Sequence, residues 1–137
     1  MNDVLPLLAC LPRLQHLILS SNPSGSDPVR SFSHPSLQTI DLSSNGISSW
    51  SCIAELAAIS TLRNLYLNDN PIAASAPARR FPSVLSLHIA SAGVESLQQL
   101  VAITGSFPAL QELEIRGNRW YDQTVAAREV APCRAYQ

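Results

Sequence analysis

The sequence predicts an α/β solenoid in which about five short parallel strands lie side by side on the concave side, while helices and irregular turns run back along the convex side. One motif, L-x-x-L-x-L-x-x-N-x-L, recurs five times, and its Asn positions lie 22 to 26 residues apart. Within each copy apolar and polar residues alternate, which indicates a strand with one buried face. Because each copy starts again in the same direction after a return segment, the strands are expected to be parallel, with right-handed crossovers.

Each copy of the motif can be placed on the chain. The second and third copies, Leu37–Ile47 and Leu62–Ile72, satisfy the whole motif, and the fourth copy has Ala92 in place of Asn. All copies are expected to lie in one domain that spans residues 1–137, with strands near residues 14–19, 37–42, 62–67, 84–89 and 110–115. The recurrent Asn is predicted to turn inward and to bond backbone groups of the adjoining turns, which is a structural role. The residues concerned are Asn22, Asn45, Asn70 and Asn118.

The return segments are predicted to be helical after the second and fourth copies and irregular after the third. After the second copy, a helix capped by Ser48 or Ser49 is expected to bury one apolar stripe, made of Trp50, Ile53, Leu56 and Ile59. After the fourth copy, the expected apolar helix face consists of Leu97, Leu100 and Val101. Apolar residues that precede a proline before a strand are expected to plug the core at the repeat edges, namely Leu11, Phe81 and Phe107.

The two ends of the array are predicted to differ from its middle. Residues 1–11 carry an apolar helical stripe, as in the outer half of a repeat whose own strand is missing. Because solenoids need capped ends, we expect the chain to be a fragment of a longer protein or to expose its first face. After the fifth copy, Trp120 and Tyr121 are expected to cover the last layer of the core, and residues 124–130 are expected to form a short helix.

Length and composition exclude several classes of protein. The chain has 137 residues, of which 46% are apolar, and this is enough for one domain with a sizeable core. A net charge of −1 offers no electrostatic footprint for nucleic acid or a membrane surface. No apolar run approaches the ~18 residues that a membrane span needs. The cysteines Cys10, Cys52 and Cys133 are far apart, which favours reduced thiols and a cytoplasmic location.

The outward positions of the strands form a grid of side chains on the concave side, here called the strand face. Its central row is predicted to contain Ile18, Asp41, Tyr66, His88 and Glu114. One flanking row contains His16, Thr39, Asn64, Ser86 and Glu112. The other flanking row contains Ser20, Ser43, Asn68, Ala90 and Arg116.

These positions favour protein binding over catalysis, although a solvated sheet surface is the simpler interpretation of any one residue. Asp41 and His88 lie two strands apart, roughly 9–10 Å, which is loose for an acid–base pair, and no activated nucleophile is indicated. His16 and His88 lie three strands apart, too far to share one metal ion. We therefore predict no enzyme activity, metal, cofactor or small-molecule substrate. The predicted partner-binding residues are Asp41, Tyr66, His88, Glu114, Asn64, Asn68 and Arg116.

The motif and its period are typical of leucine-rich repeats. Within that superfamily, the segment Leu37–Ile72 resembles the leucine-rich repeat region of tubulin-folding cofactor E. The resemblance rests on N-x-I-S-x-W, a following apolar helix and an Asn-Pro repeat, which are matched here by Asn45, Ile47, Ser48, Trp50, Ile53, Leu56, Asn70 and Pro71. It covers most of residues 11–122. It implies a scaffold that binds α-tubulin as part of a larger protein that assembles or dissociates the tubulin heterodimer.

Two other interpretations of function stay open. The first is another intracellular leucine-rich repeat adaptor, such as a phosphatase regulator or a splicing-complex subunit. The second is the recognition domain of a ligase. In each case the strand face would bind a protein, because a rigid curved sheet presents many side chains to one partner.

Overall fold

The structure is a computed structural model that describes residues 8–22 and 33–119. Within these residues five strands form one sheet, in which the strand order follows the sequence and every neighbouring pair is parallel. The strands are β1 (His16–Ile18), β2 (Thr39–Asp41), β3 (Asn64–Tyr66), β4 (Ser86–His88) and β5 (Glu112–Glu114). The return segments include a 3₁₀ helix, η1 (Trp50–Ala58), and an α-helix, α1 (Leu97–Thr104). The predicted α/β solenoid is therefore confirmed.

The register aligns equivalent positions of all five repeats. The inward-facing positions in the middle of the strands form one line across the sheet, made by Leu17, Ile40, Leu65, Leu87 and Leu113. The ladder continues past the strand ends, where the Leu42 N–H donates to the Tyr66 carbonyl at 2.9 Å and the Leu67 N–H donates to the His88 carbonyl at 2.8 Å. Since one repeat cannot bury its leucines alone, this stacking supplies most of the stability of the fold.

Three of the four recurrent asparagines, Asn45, Asn70 and Asn118, are buried and bind backbone groups of the adjoining turns, as predicted. The prediction was wrong for Asn22, which is exposed and donates to carbonyls of its own turn, since no preceding repeat lies within the described residues.

Asn70 is buried, and its Oδ1 accepts from the N–H groups of Asn45 and Ile47, both at 3.0 Å. Its Nδ2 donates to the carbonyls of Leu42 at 2.9 Å and Leu67 at 3.2 Å. One amide thus ties the second repeat to the third.

The fourth repeat replaces the missing amide with backbone hydrogen bonds, because Ala92 occupies the Asn position. The Ile72 N–H, which would otherwise meet an amide oxygen, donates to the carbonyl of Asn70 at 2.8 Å. The Ala73 N–H donates to the carbonyl of Ala92 at 3.2 Å. Asn118 in turn accepts from the Ala92 N–H at 3.0 Å. The ladder therefore continues across this repeat.

Each repeat also places one residue in the left-handed backbone region directly before its Asn position. These residues are Ser21, Ser44, Asp69, Ser91 and Gly117, with φ between 51° and 71°. At Gly117 a Cβ atom would come within 2.5 Å of the Ser91 Oγ, so a larger residue here would force the Ser91 side chain to move. The motif alone does not indicate this conformation, because four of the five positions hold Ser or Asp.

The helix η1 follows from the three-residue spacing of its apolar side chains. A 3₁₀ helix has three residues per turn, so Trp50, Ile53 and Leu56 lie on one side, and all three are buried. Ser49 caps the helix, since its side chain accepts from the N–H of Ser51 at 3.2 Å. The expected apolar stripe and its Ser49 cap are therefore confirmed.

An aromatic cluster fills the core beneath η1. The ring of Trp50 packs edge-on against Phe107 at a centroid distance of 5.9 Å and against Phe81 at 6.4 Å. The two phenylalanine rings stack on each other at 4.9 Å. The prediction that Phe81 and Phe107 plug the core is confirmed.

The expected apolar face of α1 was right for Leu100 but wrong for Leu97 and Val101. Leu97 and Val101 are 51% and 60% exposed, whereas Leu100 and Ile103 are buried. The helix begins after Ser96, whose side chain accepts from the N–H of Gln99. Leu100 and Ile103, three residues apart, both join the core, and Leu97 and Val101 lie roughly 90° or more around the helix from the middle of this pair, on the exposed side.

The expectation that Leu11 plugs the core was also wrong, because this side chain is 50% exposed. His34, the equivalent residue one repeat later, is buried instead. Its Nε2 donates to the Leu11 carbonyl at 3.0 Å, and its Nδ1 accepts from the N–H groups of Ser36 and Leu37 at 3.2 and 3.0 Å. The imidazole thus satisfies backbone groups that an apolar side chain would leave unpaired.

Several predictions fall outside the described residues. They concern the helix at the N-terminus up to residue 7, the capping role of Trp120 and Tyr121, the short helix at residues 124–130, and Cys133. In the part of the chain that the structure describes, no helix is both long enough and apolar enough to span a bilayer.

Candidate functional site

The register brings the three predicted rows of the strand face together. The central row crosses the sheet from β1 to β5 with its residues in register, and it consists of Ile18, Asp41, Tyr66, His88 and Glu114. Asn64 lies in the row that begins at His16. Asn68 and Arg116 follow the ends of β3 and β5, on the other side of the central row. All seven predicted partner-binding residues therefore lie on one surface, although they differ in what they contact.

An aromatic stack occupies the centre of the strand face. The rings of Tyr66 and His88 are 4.2 Å apart between centroids and nearly parallel, at 16°. Neighbouring strands lie about 4.8 Å apart, so two flat side chains in register stack without distortion. Tyr66 is half-buried, whereas His88 is only 9% exposed. The stack holds the tyrosine in one orientation before any partner arrives.

The imidazole of His88 is surrounded by polar groups from β4 and β5. Its Nε2 shares a hydrogen bond of 2.9 Å with the Ser86 hydroxyl. Carboxylate oxygens lie near both ring nitrogens, with Glu114 3.5 Å from Nδ1 and Glu112 3.7 Å from Nε2. Glu112 was not among the predicted site residues. The signal that could have found it is its position two residues before Glu114, which puts both carboxylates on the same face of β5.

Glu114 is neutralised within the chain. The Arg116 guanidinium hydrogen-bonds its carboxylate, and this contact is the main reason why the pKa of Glu114 lies below its ordinary value; the nearby His88 lowers this pKa further. Glu114 therefore stays ionised near neutral pH, and its charge is matched by a neighbour two residues away. A basic partner would have to compete with Arg116 for this carboxylate.

Asp41, on β2 in the same row, lacks such a partner. Its Oδ1 accepts from the N–H of Ser43 at 2.9 Å. Across residues 8–22 and 33–119, no ion pair involves Asp41. The Asp41 carboxylate is half-buried on the sheet. Leaving its charge without a counter-charge therefore costs more free energy than it would for a fully exposed carboxylate.

The two asparagines of the predicted site connect neighbouring strands. The Asn64 Nδ2 donates to the Thr39 hydroxyl at 3.0 Å, and the Asn68 Oδ1 accepts from the N–H of Ala90 at 2.9 Å. These bonds stiffen the surface around Tyr66. They also occupy part of the capacity of both amides for bonds to a partner.

Ser86, His88 and Glu114 are the residue types of an acyl-transfer triad, but their surroundings favour a structural role. Ser86 is buried, and Glu114 lies farther from the imidazole than an ordinary hydrogen bond. The N–H groups of Leu85 and Ser86 both donate to the Arg63 carbonyl, so neither can stabilise an oxyanion. A metal site is not indicated either, because the described residues contain no group of three His, Cys, Asp or Glu side chains placed to hold an ion.

The comparisons with known proteins support the repeat frame. Residues 33–49 match a family model described as Leucine Rich repeat, and this segment contains β2 and the turn with Asn45. No curated protein and no solved structure matches the chain. The match, the five copies of the motif and the five-stranded parallel sheet together show that the chain has the fold of a leucine-rich repeat solenoid.

Proposed function

We propose that this chain is a non-catalytic scaffold and that its strand face binds a protein partner. The observation that carries the proposal is the stack of Tyr66 on His88 in the middle of the sheet. Repeat solenoids of this kind use a rigid sheet surface to bind proteins. An aromatic side chain that is already ordered loses little conformational freedom on binding, so most of its contact energy is retained.

Tyr66 is the proposed anchor of this surface. It lies on the third of five strands, where a partner would exclude water most completely. It combines a large apolar ring with one hydroxyl, a composition that is enriched among the residues that dominate interface energies. Asp41, His88 and Glu114 surround it in the same row and would supply polar contacts.

The finer proposal is that the partner is α-tubulin and that the chain acts in the cytoplasm as part of a tubulin-folding cofactor. Its support is the resemblance of residues 37–72 and of the later repeats to the repeat region of that cofactor. The alternative is another leucine-rich repeat adaptor, such as a phosphatase regulator, a splicing-complex subunit or a ligase recognition domain. In both proposals the strand face binds the partner, and only the identity of the partner differs.

Capture of purified tubulin tests both levels of the proposal. The parent chain and the variant Tyr66→Ala are immobilised, and tubulin binding is measured after circular dichroism has verified the fold of each. We expect Tyr66→Ala to weaken binding by roughly tenfold or more, as for a central aromatic anchor. Arg80→Glu is the control, because Arg80 is exposed in the loop between β3 and β4 and should leave binding unchanged.

The outcomes distinguish the general proposal, a protein partner at the strand face, from the finer proposal that this partner is α-tubulin. A parent chain that does not bind tubulin contradicts the finer proposal. Crosslinking in cell extract from a photoreactive residue at position 68 then tests the alternative adaptors. A folded Tyr66→Ala variant that binds as well as the parent contradicts the strand face as the partner site, whether or not Arg80→Glu binds.

A further inference from the structure

We propose that the strand face contains a slot for an arginine side chain of the partner, between Ile18 and Tyr66 and above the carboxylate of Asp41. This inference rests on the proposed function, because it assigns the chemistry of the partner at the same face. It uses three features of the central row: the spacing of its side chains, the free face of the Tyr66 ring and the unpaired charge of Asp41.

The slot arises because a short side chain stands between two larger ones. Ile18, Asp41 and Tyr66 are in register on β1, β2 and β3. The backbones of β1 and β3 lie two strand spacings apart, roughly 9–10 Å. Ile18 is 68% exposed, so its side chain stands clear of the sheet on the far side of the slot. The gap accommodates one planar group with van der Waals contact on both sides.

The Tyr66 ring forms the aromatic wall of the slot, and one of its two faces is available to a partner. His88 covers the face of the Tyr66 ring that points toward β4. The opposite face therefore points toward β2, where Asp41 occupies the same row. A cation placed above Asp41 would lie against this face, where the quadrupole of the ring attracts positive charge.

The floor of the slot supplies the negative charge. One carboxylate oxygen of Asp41 accepts from the Ser43 N–H, and no basic side chain of the described residues pairs with it. Glu114, at the other end of the row, is already paired with Arg116. The Glu114 carboxylate is therefore balanced within the chain, whereas the Asp41 carboxylate is free to attract a cation beside the Tyr66 ring.

Arginine fits this slot better than lysine does. Its guanidinium is planar, so it can stack on the Tyr66 ring and at the same time direct N–H groups toward the Asp41 carboxylate. It is also less strongly hydrated than an ammonium group and loses less on entering a half-buried site. The aliphatic part of the side chain would contact Ile18. The partner segment is therefore expected to present an arginine to β2.

The test uses two small probes that differ in charge but hardly in shape. N-acetyl-arginine methylamide and its neutral isostere N-acetyl-citrulline methylamide are titrated to millimolar concentrations into the ¹⁵N-labelled full chain, and the amide chemical shifts are followed by NMR. The arginine probe should cause saturable shifts at residues 39–43 and 64–68, whereas the citrulline probe should cause none there. The lysine analogue should bind more weakly than arginine.

Three variants assign the contacts. Asp41→Asn retains the oxygen that accepts from Ser43 and removes the charge, so it should abolish the saturable shifts while the fold remains. Tyr66→Leu keeps an apolar wall without the aromatic face and should weaken binding roughly two-fold to five-fold. Asp69→Asn is the matched control: it makes the same chemical change at an exposed turn and should leave the titration unchanged.

The slot is disproved if the two probes behave alike, if no saturable shift occurs at residues 39–43, or if Asp41→Asn still binds the arginine probe. Shifts confined to β5 would place the cation at Glu112 instead and also contradict it. The tubulin capture experiment keeps the two proposals apart. Loss of capture in Tyr66→Ala without any effect of Asp41→Asn overturns only the slot, whereas full capture by Tyr66→Ala overturns the strand face as the partner site.

Discussion

The two faces of the five-stranded sheet are organised by different rules. On the inner face, every repeat places an apolar residue at the same position, and a buried amide or its backbone substitute connects each turn to the next. On the strand face, each repeat differs: an open carboxylate at Asp41, an aromatic stack at Tyr66 and His88, and a neutralised carboxylate at Glu114. The difference teaches that stability resides in what the repeats share and recognition in what distinguishes them.

The largest effect should come from the inner face of the central repeat. Leu67 is fully buried, so Leu67→Ala removes most of a side chain from the core and leaves a cavity there. We expect a loss of about 2–5 kcal/mol in the free energy of unfolding. Denaturant unfolding measures it.

The matched substitution on the strand face is Ile18→Ala, since Ile18 is 68% exposed. It should change the free energy of unfolding by no more than about 0.5 kcal/mol. Equal losses in the two variants would mean that the two faces do not differ in their contribution to stability.

The second effect concerns the buried amide of the third repeat. Asn70→Ala leaves the N–H groups of Asn45 and Ile47 without the oxygen that now accepts from them. Because these groups are buried, the expected cost is about 1–3 kcal/mol, measured by thermal or denaturant unfolding. Asn64→Ala is the comparison on the strand face, where only a half-buried bond to Thr39 is lost. An Asn70→Ala variant that unfolds at the same denaturant concentration as Asn64→Ala would contradict a structural role for the amide.

The repeated positions were predictable because five copies support each inference. The register of the central row and the inward Asn follow from a motif that occurs five times, so a local exception such as Ala92 does not shift the frame. The 3₁₀ helix was recognisable as a helix because Trp50, Ile53 and Leu56 recur at its own period of three residues.

Features that occur once were not predictable in the same way. The buried side of α1 depends on how the helix packs against the core, and hydrophobicity alone favoured Leu97 and Val101 together with Leu100. The pairing of Arg116 with Glu114 depends on the rotamers of two surface side chains, which no pattern in the sequence specifies. It nevertheless changes the site, because it leaves Asp41 as the carboxylate of the central row without a basic partner among the described residues.

The smallest effect should come from Glu114 and is visible only through pH. The contact with Arg116 lowers the pKa of Glu114 in the folded chain below the ordinary value of 4.5. A carboxyl group with a lowered folded-state pKa stabilises the fold fully above its unfolded pKa, and this contribution is lost as the pH falls through the folded-state pKa. Below pH 4.5 the parent should therefore lose a contribution to its free energy of unfolding that Glu114→Gln does not have at any pH.

Denaturant midpoints of the parent and of Glu114→Gln, measured from neutral to acidic pH, would show this difference. Arg116→Ala should remove most of the same contribution. If Glu114→Gln instead keeps the full acid dependence of the parent, the pairing within the chain does not hold Glu114, and the Glu114 end of the strand face would be as open to a basic partner as the Asp41 end.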